Sequence, residues 1–383
     1  MSYPLPDVIE GYIPDGKNRK ANYGLLFTRF FDGFTNSYTE VPPEAKSSFL
    51  KRMVEGGGKC GDEAAIKQAS SRQVALTTAL QGESACFACD WHFVTGMGNE
   101  HPVENGFTWH HSLGTPYIPG STVKGLVRAW MEEFTDQSEQ ERQQWFGSVL
   151  KHDGDPDDNQ TGELIFMDAI PMAPPELTID IMTPHMGKWY EKGDDPKQVA
   201  TADVMPGDWH APVPVPFLVT RKASFLFSVA PRAGFNPDML KVMEALENAL
   251  AWLGVGSKTA IGYGHMNRDD ERLQVLRDAI EQEQQKEQQA AQDAELSEMQ
   301  QIIVKIERLL ASEQVADPSA QSRAQLRELA TQDLSDWPLT DKDALWGIAE
   351  KVFALHGGNK PTAKEKKAKT PPLKQRLSKA LGR

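Results

Sequence analysis

Cysteine is scarce in this chain. Cys60, Cys86 and Cys89 are the only three in 383 residues, too few for a disulfide scaffold. Long apolar runs are missing as well. No stretch approaches the roughly 18 apolar residues that cross a bilayer, so no membrane partner is expected. Met1 to Glu10 has neither the basic start nor the apolar middle of a signal peptide, and no internal repeat stands out. These absences point to a soluble, cytoplasmic protein, long enough for two domains or one large domain with an appendage.

The charge is uneven. The net charge of −13 would count against a simple nucleic-acid binder, but the average hides a division. Residues 359–383 carry nine Lys/Arg and one Glu, a net +8, while residues 268–358 carry ten Lys/Arg and nineteen Asp/Glu, a net −9. The first 267 residues hold the remaining −12, so whole-chain charge does not decide the partner.

Periodicity separates three stretches. Residues 1–267 read as mixed α/β, with strand-like runs at Tyr23–Phe31, Cys86–Val94, Phe107–Leu113, Gly162–Ile170, Thr178–Met182 and Phe217–Val229. In the Cys86–Val94 run, Phe87, Trp91 and Phe93 alternate as rungs. Residues 61–80 read as a helix. A second helix carries Val123, Leu126, Val127, Trp130 and Phe134 on one stripe, with Ser121 or Thr122 as N-cap and Lys124 and Arg128 off the stripe. A third starts at Asn236-Pro237, buries Met239, Met243, Leu246, Leu250 and Leu253, and stops at Gly254. Residues 268–358 read as a helical extension and 359–383 as a basic flexible tail, within which Leu373–Leu381 can form a short helix.

Two glycine-rich clusters carry chemistry. Gly120, Ser121, Thr122 and Lys124, with Arg128 one turn on, open the second helix, where free N–H groups and the dipole favour an anion. The alternative is an ordinary capped core helix. Gly254-Val-Gly256-Ser257-Lys258-Thr259-Ala-Ile-Gly262-Tyr263-Gly264 fits neither a Walker loop, since Ser257 stands where Gly must precede Lys-Thr, nor a dinucleotide fingerprint, since it follows a helix. Its glycines let backbone approach a ligand, Lys258 adds a phosphate-seeking charge and Tyr263 a stacking face. The alternative is a turn serving chain geometry alone.

In this order the clusters resemble the RAMP superfamily of CRISPR-associated RNA-binding proteins, in which an IPGSxxKG segment opens a helix and a GxGxKxxxGYG loop closes the core. Thr95–Phe107, Gly162–Pro171 and Asp180–His185 resemble the sixth-subunit family of type III-B (Cmr) effector complexes. The similarity spans roughly residues 20–267. It implies an α+β protein with a modified ferredoxin-like (RRM-type) core. It also implies a non-catalytic structural subunit that contacts guide RNA near its 3′ end in an RNA-targeting antiviral complex, with other RAMP subunits, guide RNA and target RNA as partners. On that resemblance Ser121, Lys124 and Arg128 face guide phosphates and the Gly254–Gly264 loop lies against the RNA backbone. Main-chain groups and a few cations suit a guide whose sequence varies, because they bind backbone and do not read bases.

Other chemistries are weaker. His110-His111 could serve a metal-independent endoribonuclease, but adjacent strand residues face opposite ways. Asp32 is a candidate from its place after the first strand-like run, although Asp-Gly is also a common turn. Cys60, Cys86, Cys89 and His92 leave a zinc site open, although the second ligand pair of a strong zinc signature is missing. No metal or cofactor is expected. A purely protein-binding scaffold is the third reading.

Overall fold

The computed structural model describes residues 22–35, 37–148, 160–199, 201–315, 320–357 and 370–383; Met1–Glu10 and much of the basic tail lie outside them. The chain divides into two units, Met1–Asp278 and Ala279–Arg383. Among the described residues no helix is long and apolar enough to cross a membrane.

The first unit opens with α1 (Tyr23–Arg29), α2 (Pro43–Val54) and α3 (Glu63–Ala79). The strand expected at Tyr23–Phe31 is thus a helix for most of its length. Asn22 caps it by accepting from the Leu25 N–H at 2.9 Å, and Tyr23, Leu26 and Phe27 at i, i+3, i+4 form its buried face. There follow β1 (Glu83–Cys89), β2 (His92–Phe93), α4 (Gly120–Glu133), α5 (Glu139–Phe146), β3 (Leu164–Phe166), β4 (Ile170–Pro171), β5 (Glu176–Met182), α6 (Gly187–Lys192), β6 (Val215–Arg221), β7 (Ser224–Pro231), α7 (Met239–Trp252) and β8 (Met266–Arg268).

The strands form two antiparallel sheets. One runs β3-β7-β1-β8, with β4 also on β7; the other runs β2-β6-β5. Two of the expected strands are therefore divided between sheets. Cys86–Val94 breaks at Asp90–Trp91, where the Asp90 N–H is drawn to the His265 carbonyl at 3.0 Å. Phe217–Val229 breaks at Lys222, whose φ of 51° turns the chain. Phe107–Leu113 forms no strand; it folds as a turn in which the Gly114 N–H returns to the His110 carbonyl at 2.9 Å.

β7 is buried along its whole length. Phe225, Phe227 and Val229 pack with Val123 and Val127 of α4 and with Val242, Leu246 and Leu250 of α7. Alternation sends Ser228 the other way, where it shares a hydrogen bond with Ser84 at 2.8 Å. Of the expected α4 stripe, Val123 and Val127 are buried and Leu126 and Trp130 half-buried, while Phe134 is 54% exposed and Met131 takes the inner place. α7 begins later than expected: Asp238, not Asn236, caps it by accepting from the Leu240 N–H at 3.1 Å. Met243, Leu246 and Leu250 are buried as expected, joined by Val242, Ala245 and Ala249. A second core joins α1 and α2 to Val94, Phe217, Val219 and Tyr263.

α8 (Asp270–Ala294), α9 (Glu298–Ser312), α10 (Gln321–Leu329), α11 (Leu339–His356) and α12 (Leu373–Ala380) complete the described elements. The helical extension expected from residue 268 is interrupted after α8 at Ser297, which forms a capping box with Gln300 and starts α9. The short helix expected over Leu373–Leu381 is α12, where Leu373, Leu377 and Leu381 recur every fourth residue and are buried with α9–α11 residues. Leu377→Ala should destabilise this unit by about 2–5 kcal/mol, read as an earlier unfolding transition.

Candidate nucleic-acid interface

α4 gets its cap from a distance. Helix formation begins at Gly120 after Pro119, and neither Ser121 nor Thr122 serves as N-cap. The Gly120 N–H instead donates to Asp168 Oδ1 at 2.7 Å, so a carboxylate already stands where an external anion was expected. Gly120 is buried, and a Cβ there would lie 2.3 Å from the Phe166 carbonyl oxygen; this glycine lets the helix meet the strand. Ser121 and Thr122 are exposed, Lys124 and Arg128 half-buried, and Arg128 donates to Glu132 at 2.7 Å. No local signal marks Asp168 as a cap, because it lies 48 residues away. Asp168→Ala should cost about 1–2 kcal/mol in thermal unfolding, with much of the loss restored by Asp168→Asn.

The second cluster is stitched to β2. The Ser257 N–H donates to the Val94 carbonyl and the Gly264 N–H to the His92 carbonyl, each at 2.8 Å. Gly254 ends α7, Gly256 backs onto Val94, and Thr259 begins a single 3₁₀ turn closed by Gly262. Lys258 has a φ of 61° and holds its ammonium 5.5 Å from the centre of the Phe217 ring, a cation–π distance. The two clusters are carried by the outer strands of the five-stranded sheet. Gly120 is tied to Asp168 beside β3 and β4, and Gly264 leads into β8.

Tyr263 departs from expectation. It is only 4% exposed, and its hydroxyl donates to Asp180 Oδ2 at 2.5 Å, so it offers no free stacking face. Asp180 also takes the Ile181 N–H at 2.7 Å and lies 3.3 Å from His92 Nδ1. Burial works to raise this carboxyl, but the donors Tyr263, Ile181 and His92 outweigh it and hold Asp180 below the ordinary carboxylate range. A depressed carboxyl stabilises above its unfolded pKa and loses that contribution as pH falls through the folded value. Tyr263→Phe should therefore move the acid-unfolding limb to higher pH, measured by circular dichroism. Trp91, expected as a strand rung alongside Phe87 and Phe93, lies outside both strands where the strand breaks and is 51% exposed.

The remaining candidates fall elsewhere. His110 accepts the Leu113 N–H at Nδ1 (3.2 Å) and packs edge-on against Tyr117, while His111 is exposed. Burial lowers the His110 pKa, which favours the neutral ring. Asp32 follows a helix, not a strand, and pairs with Arg52. Cys60 sits in the second core, whereas Cys86 and Cys89 belong to β1. Burial pushes all three thiols up, Cys86 and Cys89 to about 12, so they rest as thiols rather than reactive thiolates. Among the described residues no three His, Cys, Asp or Glu are grouped to hold an ion.

The RAMP superfamily's family model matches residues 89–267, the segment carrying β2 to β7, α4, α7 and both clusters. The chain is also similar to the CRISPR system Cmr subunit Cmr6. It is 28% identical to the Pyrococcus furiosus protein over 244 residues, covering 50% of this chain and 69% of that one. It is also 28% identical to the Saccharolobus solfataricus protein over 163 residues, covering 42% of this chain and 47% of that one. The resemblance read from the motifs stands on these matches. Among solved structures, a cryo-EM structure of the type III-B Cmr-β bound to cognate target RNA aligns at 20% identity and a TM-score of 0.45, covering 62% of this chain and 77% of its own. The crystal structure of Cmr6 from Pyrococcus furiosus aligns at 27% identity and a TM-score of 0.28, covering 49% and 98%.

Proposed function

We propose that this chain is a structural, RNA-binding subunit of a type III-B CRISPR effector complex, contacting guide RNA near its 3′ end beside other RAMP subunits. One observation carries the reading: both glycine clusters fall in order inside the stretch that matches the RAMP superfamily, and the similar proteins are Cmr6 subunits. The order β1, α4, β3, β7, α7, β8, with β3-β7-β1-β8 across the sheet, supports a modified ferredoxin-like core over residues 1–267. Residues 268–358 form a helical extension in this reading, followed by the basic segment 359–383.

The grip on RNA falls to Lys124, Arg128 and Lys258, with Ser121, Thr122, Ser257, Thr259 and the open glycine Gly262 offering short polar contacts to phosphate and ribose. Gly120, Gly254, Gly256 and Gly264 shape the backbone, and Tyr263 braces it. The subunit has no catalytic step of its own. Lys124→Ala combined with Lys258→Ala should weaken guide retention by the assembled particle. It should also shallow the salt dependence of RNA binding by about one to two units of log–log slope. Unchanged retention would leave a protein-only scaffold, and repeat-RNA cleavage in EDTA that is lost in His110→Ala or His111→Ala would make the chain an endoribonuclease.

A further inference from the structure

Burial of Tyr263 removes the stacking face expected of the glycine-rich loop, yet the same corner presents another. Trp91 lies where the chain leaves one sheet for the other, 51% exposed. Its indole stacks on the His92 ring at 4.4 Å between centroids and 17° between planes, and Tyr263 lies 5.0 Å away at a tilt. Both supporting rings are held through the same carboxylate oxygen, Asp180 Oδ2.

The backbone on either side is tied down as well. The Asp90 N–H reaches the His265 carbonyl at 3.0 Å, and Asn267 Nδ2 donates to Asp90 Oδ1 at 2.5 Å. One aromatic surface is thus backed by a ring, braced by a half-buried network and turned to solvent. Water gains nothing from such a surface, whereas every nucleobase has a π-face that fits it.

The charge beside it discriminates between ligands. Lys258 is drawn over Phe217 within the same ring cluster, since Phe217 lies 6.3 Å from Tyr263. Asp90 is exposed next to the indole and would repel a phosphate placed directly there. An indole with a repelling carboxylate beside it in the chain, and an ammonium two rings further along the cluster, suits a base on the ring with its phosphate displaced toward the loop.

We infer that Trp91 is a stacking platform for one unpaired nucleobase of a single-stranded RNA, set beside the backbone-binding loop and indifferent to base identity. This rests on the RNA-binding reading above and adds a site to it. Stacking of one base on an aromatic ring corresponds to a loss of about 5- to 100-fold in affinity on removal.

The test titrates a fluorescent twelve-nucleotide oligouridine onto the full chain at low salt, with wild type, Trp91→Ala, Trp91→Phe and Lys258→Ala in parallel. Trp91→Ala should lose about 5- to 100-fold with an unchanged salt slope. Trp91→Phe should retain most of the affinity, Lys258→Ala should flatten the salt slope, and ultraviolet crosslinking of wild type should mark the peptide containing Trp91. Melting curves of the variants establish that each is folded. Wild-type binding matched by a folded Trp91→Ala protein would overturn the platform and leave the RNA reading standing. No binding by wild type even at low salt would overturn the platform, while the RNA reading itself is decided by guide retention in the assembled particle. Normal RNA binding by Trp91→Ala with loss of a co-purifying Cmr subunit would make this face a protein contact and overturn the platform.

Discussion

Gly264→Ala should cripple the first unit, whereas Gly262→Ala, two residues away in the same loop, should be tolerated. Both glycines occupy the left-handed region, at φ of 72° and 99°, where an L side chain costs about 1–2 kcal/mol. Their surroundings differ. A Cβ at Gly264 would lie 1.9 Å from the Val255 carbonyl oxygen, while one at Gly262 would meet open space. The colliding atom is backbone and cannot swing aside. Relief would pull apart two hydrogen bonds, from the Val255 N–H to the Gly264 carbonyl at 2.9 Å and from the Gly264 N–H to the His92 carbonyl. We expect more than about 4 kcal/mol lost for Gly264→Ala and about 1–2 for Gly262→Ala in denaturant unfolding. Equal losses would mean that the loop does not rest on β2 as described.

Phe225→Ala should cost about 3–5 kcal/mol. Phe225 is fully buried among the α4 and α7 side chains, and its ring meets Phe93 of the other sheet at 5.1 Å and 66°. Such a pair adds about 0.5–1.5 kcal/mol beyond burial and couples two sheets that share no ladder here. Amide hydrogen exchange should therefore quicken in β2 as well as in β7, and Phe225→Leu should do less harm than alanine. Acceleration confined to β7 would contradict the coupling.

The sequence was informative where one face of one element told the story. The buried faces of α4 and α7 could be read in large part from 3.6-residue spacing, and the glycine loop from its composition. Alternation, however, cannot reveal when a strand passes from one sheet to another, so Cys86–Val94 read as one strand and Trp91 as a rung. The aromatic run Tyr23–Phe31 conceals a helix: its closely spaced aromatics mimic a strand, while Asn22, which caps the helix, lies just outside the run. Asp168 and Asp180 act on residues 48 and 83 positions away, and no local spacing carries that information. Burial of Tyr263 goes with its long-range bond to Asp180, whereas exposure of Trp91 goes with the break between β1 and β2.

Charge now has a narrower meaning. A chain of net charge −13 is poorly placed to gather free RNA by counterion release, and Arg128 is partly neutralised by Glu132. A few local cations can still hold a guide if partner subunits complete the channel.

The most direct test co-expresses the chain with the remaining Cmr subunits and a guide array, purifies the particle through a partner, and quantifies this chain and the guide together. The proposal predicts that the chain enters stoichiometrically and that the Lys124→Ala, Lys258→Ala double variant still enters while guide recovery falls. A particle that assembles with its guide and lacks this chain would contradict the central claim.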